Sequence, residues 1–173
     1  WLSAWTASPA PQVLSAPEFP ERVSPPFEDE TLVQYVRLAS GGQRLRIRLS
    51  NLYGERDQVL HYVFVQRLEA DGHYSKGVAV SFSGQPEARL NARSSLLSDP
   101  VDLATAPLSK LRIAFYLAGP TGPCTCHSRA EQPTDVFRSR ASTFDGEPDR
   151  RVQQRVFLAG VEVEGSRNRR LVV

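Results

Sequence analysis

Apolar and polar residues alternate along short stretches of this chain, and a period of two marks half-buried β-strands. In residues 44–49, Leu45, Ile47 and Leu49 fall on one face and Arg44, Arg46 and Arg48 on the other. A one-residue slip there would bury three guanidinium groups, so the alternation also fixes the register. Residues 110–117 repeat the pattern, with Leu111, Ile113, Phe115 and Leu117 set against Lys110, Arg112, Ala114 and Tyr116. Residues 32–38 and 59–68 are β-rich, and 78–82, 101–103, 134–144 and 155–163 add shorter runs. Gly41-Gly42 reads as a hairpin turn between 32–38 and 44–49, and Asp71-Gly72 as a second turn. Gly119-Pro120-Thr121-Gly122-Pro123 is a strong breaker, and only 148–154 has helical character. Roughly eight to ten short strands with little helix predict an all-β fold, an antiparallel β-sandwich or jelly roll.

The first thirty residues depart from this pattern. Six of the 13 prolines (Pro9, Pro11, Pro17, Pro20, Pro25 and Pro26) fall there, each fixing φ and removing a backbone donor. Residues 1–30 are therefore expected to run as an extended strap pinned by Trp1, Trp5, Phe19 and Phe27, with the sandwich over 31–164. Residues 165–173 read as a polar hinge, 165–170, followed by Leu171-Val172-Val173 as the start of a truncated following domain. The chain begins at Trp1 and contains no Met, which predicts a trimmed N-terminus. Its 173 residues suffice for one core without a metal or disulfide staple. Lys+Arg 21 against Asp+Glu 19 leaves a net charge of +2, too small to imply a nucleic-acid partner. Hydrophobic content of 40% excludes wholesale disorder, and no apolar run approaches the ~18 residues of a membrane span.

Candidate chemistry is sparse. There is no Gly-x-Ser-x-Gly turn to expose a nucleophile, and the three histidines, His61, His73 and His127, read as surface or packing residues. No catalytic residue and no cofactor is expected. Cys124-Thr125-Cys126-His127 is the one dense cluster of potential ligands, a candidate soft-metal or redox site lacking a second knuckle. On an extended strand its two thiols would stand about 7 Å apart, so Cys124 and Cys126 are expected to be reduced or loosely paired structural thiols, unbonded to each other if the segment is extended. Asp29 with Glu30 and Glu162 with Glu164 read as solvated strand edges rather than glycosidase carboxylates, and the stripe Arg44, Arg46, Arg48 as a solvent face rather than a site for an anionic polymer. Trp1, Trp5, Tyr53, Tyr62 and Tyr74 are candidates for stacking on sugar rings, although large aromatics near a terminus more often plug a core or a domain interface.

Several stretches, taken in order, carry a resemblance. The opening Trp1-Leu2-Ser3-Ala4-Trp5-Thr6-Ala7-Ser8-Pro9 resembles the mature start of secreted bacterial SGNH hydrolases, the GDSL-type lipases and acylhydrolases. So does Val36-Arg37-Leu38, running through Gly41-Gly42 to Leu45-Arg46-Ile47-Arg48-Leu49-Ser50-Asn51-Leu52-Tyr53-Gly54. Ser98-Asp99-Pro100-Val101, the 111–117 strand, Thr125 with His127-Ser128, and Phe157-Leu158-Ala159-Gly160-Val161-Glu162-Val163 are similar to later landmarks of the same region. The resemblance implies a non-catalytic N-terminal β-sandwich, secreted or periplasmic, whose partner is the hydrolase domain of the same polypeptide. That following domain would carry the Gly-Asp-Ser nucleophile block, and no residue here matches the family's catalytic set. Ester hydrolysis, with acylated carbohydrate among the substrates, is the expected activity of the parent. Trp1, Trp5, Tyr53 and His127 are the candidate binding residues. A stand-alone carbohydrate-binding module or a structural spacer is the alternative.

Overall fold

The computed structural model describes residues 1–13, 17–18 and 26–165, and among them all regular structure is β-strand. Antiparallel pairing builds two sheets. The larger is centred on β2 (Glu30–Arg37) and β8 (Lys110–Leu117), with β4 (Gln58–Arg67) beside β8 and β10 (Thr134–Arg138) beside β2. Two short strands, β5 (Val78–Ala79) and β6 (Ala88–Leu90), both pair with β4, and β11 (Arg150–Val152) forms the opposite edge. The smaller sheet runs β1 (Leu2–Thr6), β13 (Leu158–Val163), β3 (Leu45–Ser50) and β7 (Ser95–Leu97). A two-residue ladder joins β9 (Cys126–His127) to β12 (Arg155–Val156).

The sheets bury the faces that the alternation assigns to them. Leu45, Ile47 and Leu49 of β3 and Leu111, Ile113, Phe115 and Leu117 of β8 are buried, packed with Leu32, Val36, Leu60, Val161 and Val163 in one core. Arg44, Arg46 and Arg48 lie on the outer face of the smaller sheet. They are not free in solvent: Arg44 pairs with Glu164, and Arg46 and Arg48 both pair with Glu162.

Four expectations are corrected by long-range pairing. The turn at Gly41-Gly42 is not a hairpin, because β2 and β3 belong to different sheets and the chain crosses between them there. Gly42 instead exchanges backbone hydrogen bonds with Thr105, at 3.0 and 2.8 Å. A Cβ on Gly41 would meet the Thr105 carbonyl oxygen at 2.3 Å, so glycine permits the close backbone approach. The 148–154 stretch contributes β11 rather than a helix. It is too short to nucleate one alone, and pairing with β10 decides its conformation. The run 155–163 is split, because Phe157 takes a φ of +56° and turns the chain from β12, paired to β9, into β13, paired to β3.

The last correction concerns the second face of β8, which is covered rather than open. Val33, Ala114 and Phe144 form a second buried cluster there, with Tyr35, Phe64, Phe137 and Ala141 packed against it. Arg112 is caught beneath this layer at 4% exposure. Its guanidinium lies 4.1 Å from the Tyr74 ring centroid, with Nε donating to Gln66 Oε1 at 2.7 Å and Nη1 to Asp145 at 2.9 Å.

Residues 1–13 join the sandwich through β1, which pairs with β13 at the edge of the smaller sheet, and through Ala7, whose N–H donates to Ala159 O at 3.0 Å. Phe27 is wholly buried. The Phe19 anchor and Leu171-Val172-Val173 lie outside the described residues.

Candidate functional site

The ladder between β9 and β12 organises the most cation-rich part of the surface. Gln34, pointing inward from β2, clamps β12 by donating from Nε2 to Val156 O at 2.8 Å and accepting from Val156 N–H at 3.1 Å. Both polar ends of a wholly buried amide are thereby satisfied. On the other side, Cys124 and Cys126 form a disulfide, contrary to the expectation of unbonded thiols. The segment is not a regular strand. Cys126 N–H donates to Ala10 O at 2.9 Å, Cys124 N–H to Gln12 Oε1 at 3.0 Å, and Pro11 bridges Thr125. These cross-ties draw the two Cα atoms to 5.6 Å, inside disulfide reach. With both sulfurs bonded to each other, the cluster Cys124, Cys126, His127 offers no thiolate to a metal. Among the described residues, no group of three or more His, Cys, Asp or Glu is placed to hold one.

Beside this ladder lies a groove of about 570 Å³ that brings together two of the sequence candidates, Trp5 and His127. Its lining also includes Arg37, Lys110, Arg129 and Arg155, with Glu131 as the one carboxylate among the described lining residues. Arg155 is 5% exposed and has no carboxylate within ion-pairing distance among the described residues. Its Nη1 is buried without a hydrogen-bond partner, and its guanidinium carbon lies 5.1 Å from the Trp5 ring centroid. Burial brings its pKa down to about 10, since removal from water penalises the charged form. Tyr35 supplies a second aromatic wall. Burial, with its hydroxyl donated to Asp135 at 2.8 Å, holds its phenol above the ordinary range.

The remaining candidates lie elsewhere. Trp1 is 44% exposed and stacks on the Arg46 guanidinium at 4.1 Å, on the outer face of the smaller sheet. Tyr53 is exposed, and its N–H donates to Thr125 Oγ1 at 2.8 Å. His61 bonds Glu87 at 2.9 Å beside Tyr62 and Tyr116, and His73 sits in the exposed turn after Asp71-Gly72. The acidic pairs have structural partners: Asp29 accepts the Tyr116 hydroxyl at 2.6 Å, and Glu30 pairs with Arg150 at 2.7 Å. Sequence reasoning missed Arg155, because in an apparently continuous strand it reads as an exposed position. Among the described residues no helix is long and apolar enough to cross a membrane. Compared with protein-family models and with curated proteins, the chain matches none.

Proposed function

We propose that this chain is the non-catalytic N-terminal β-sandwich of a secreted bacterial esterase of the SGNH type, with the ester chemistry carried by a hydrolase domain that follows it. One observation carries the reading: three of the stretches that resemble this family meet at one corner of the fold. Ser50 N–H donates to Phe157 O at 2.7 Å, Phe157 N–H to Thr125 O at 3.0 Å, and Tyr53 N–H to Thr125 Oγ1 at 2.8 Å. Segments far apart in sequence are thus tied to one another, two of the bonds running between backbones and one through the Thr125 hydroxyl. That supports a resemblance of frameworks rather than of active sites. The Cys124–Cys126 disulfide supports an oxidising compartment, periplasmic or extracellular.

In the parent enzyme a serine would attack the ester carbonyl, expel the alcohol and leave an acyl-enzyme that water hydrolyses. The sandwich would shape the cleft or hold the enzyme on acylated carbohydrate. Loss of a triad member typically removes about 10⁴- to 10⁶-fold in kcat, so the 173-residue chain is expected to release only background p-nitrophenol from p-nitrophenyl acetate. The chain extended through a Gly-Asp-Ser block should turn over, and a Ser→Ala change in that block should abolish turnover. Saturable turnover by the short chain, lost in His127→Ala, would refute the reading. The second reading, a carbohydrate-binding module, is favoured by the groove that places Trp5 beside unpaired cations.

A further inference from the structure

We propose that the groove beside β9 and β12 binds an acidic sugar, with the carboxylate of a uronate-type unit completing Arg155. This deepens the carbohydrate-binding reading and does not depend on whether a hydrolase domain follows.

The distribution of ion pairs motivates it. Of the 15 described arginines, nine have a carboxylate within 4.0 Å: Arg44, Arg46, Arg48, Arg67, Arg89, Arg112, Arg138, Arg150 and Arg151. Three of the six without one, Arg37, Arg129 and Arg155, line this single groove, and Lys110 joins them. This fold pairs its cations readily, so four cations without an ion pair set against the single carboxylate of Glu131 make a local positive field that draws in an anion.

Arg155 is the strongest element. A guanidinium at 5% exposure with an orphaned Nη1 is costly, because taking a charge from water is repaid only by a partner in good geometry. The Trp5 ring offers cation–π attraction but accepts no N–H hydrogen bond in the plane of the guanidinium. Nη1 is itself out of contact with solvent, so an incoming carboxylate would meet the guanidinium at the edge that lines the groove and compensate its charge there. The rest of the lining suits a sugar ring. The groove, about 570 Å³, falls within the range of small-molecule sites, and it offers the Trp5 ring with the hydroxyls of Thr6 and Ser8. Glu131 at the same groove penalises a dianionic phosphate more than a singly charged carboxylate.

The test is calorimetric titration of the whole chain with glucuronic acid at neutral pH and low salt, with glucose and inorganic phosphate as comparison ligands, alongside thermal melts. Glucuronate should bind saturably and raise the melting temperature, while glucose should not bind. Arg155→Met should weaken glucuronate by about tenfold or more, the loss expected for one charge-assisted contact, and should also raise the melting temperature without ligand. A merely structural arginine would give the opposite melt. Should that variant fail to fold, Arg129→Ala should weaken binding, Glu131→Gln should tighten it, and Arg93→Ala, an exposed unpaired arginine outside the groove, should leave it unchanged. The proposal is overturned if glucuronate does not bind, if glucose binds equally, or if phosphate binds more tightly than glucuronate. It is also overturned if Arg155→Met lowers the melting temperature while binding survives.

Discussion

Replacing Asn51 by alanine removes a wholly buried amide that ties three stretches of backbone together. Its Nδ2 donates to Arg56 O at 2.8 Å and lies 3.3 and 3.4 Å from the carbonyls of Asn91 and Leu90. Leaving a buried carbonyl unsatisfied costs about 1–3 kcal/mol and a small cavity adds to it, while removal of Asn51 Oδ1, itself buried without a partner, offsets part of the loss, so about 2 kcal/mol is expected for Asn51→Ala. In a domain of this size that lowers the melting temperature by roughly 4–8 °C. Gly54 is coupled to it. A Cβ there would stand 1.8 Å from Asn51 Oδ1 and 2.6 Å from its Cγ, and swinging the amide aside would break the hydrogen bonds of Nδ2. Gly54→Ala alone should therefore cost about 1–3 kcal/mol through overpacking. With Asn51 already truncated the obstruction is gone, and the second substitution should cost about 1–2 kcal/mol less than it does alone. Urea unfolding of the four proteins in a double-mutant cycle measures that coupling directly. Strict additivity, or an Asn51→Ala variant within about 0.5 kcal/mol of wild type, would refute the account of this corner.

The disulfide closes a very short loop, for which loop-closure entropy predicts about 1.5 kcal/mol; a Cys124→Ser, Cys126→Ser variant and the reduced wild type should melt several degrees lower, and equal melts of oxidised and reduced protein would contradict this. The Asp99 carboxyl is held below its ordinary 3.8 by hydrogen bonds from Gly84 N–H, the Ser81 hydroxyl and Ser83 N–H, against the opposing effect of desolvation. Its stabilisation is fully present above pH 3.8 and lost as pH falls through the lower folded-state value, so Asp99→Asn should be destabilised relative to wild type at pH 6 and converge with it near pH 2. A gap that stays constant in melts across that range would exclude the linkage.

Strand faces were legible wherever one side alone is buried. β3 is such a strand, and its three leucine-isoleucine positions are in the core as the alternation requires. β8 was half legible, because the cover on its second face comes from Phe137, Ala141 and Phe144, more than 20 residues later in the chain. The cysteine distance failed for a related reason. It assumed a regular strand, whereas 124–126 is shaped by ties to Ala10, Pro11 and Gln12, 112 to 116 residues earlier, a long-range pairing that local periodicity does not report. Trp5 and His127 were singled out for separate reasons and line one groove, while Trp1 and Tyr53 stand apart from it. Arg155, which lies over the Trp5 ring and is the ladder partner of His127, was hidden by Phe157, whose positive φ no sequence pattern announces.

Among the described residues two arginines are buried, and they serve as controls for one another. Arg112 and Arg155 are equally inaccessible, at 4% and 5% exposure, and each lies against an aromatic ring. Arg112 has what a structural guanidinium requires: an amide oxygen from Gln66, the Asp145 carboxylate and the Phe144 carbonyl. Those partners arrive from β4 and from the loop after β10, so the fold brings distant chain together around it. Arg155 has the burial without the partners, although Glu131 lines the same groove. A buried charge is destabilising to the extent that it is unpaired, and the Trp5 ring alone compensates Arg155 less than the carboxylate and carbonyl oxygens compensate Arg112. Folding stability traded for an unmet binding valence is the pattern of a functional site, and this is why Arg155→Met is expected to move stability and ligand affinity in opposite directions.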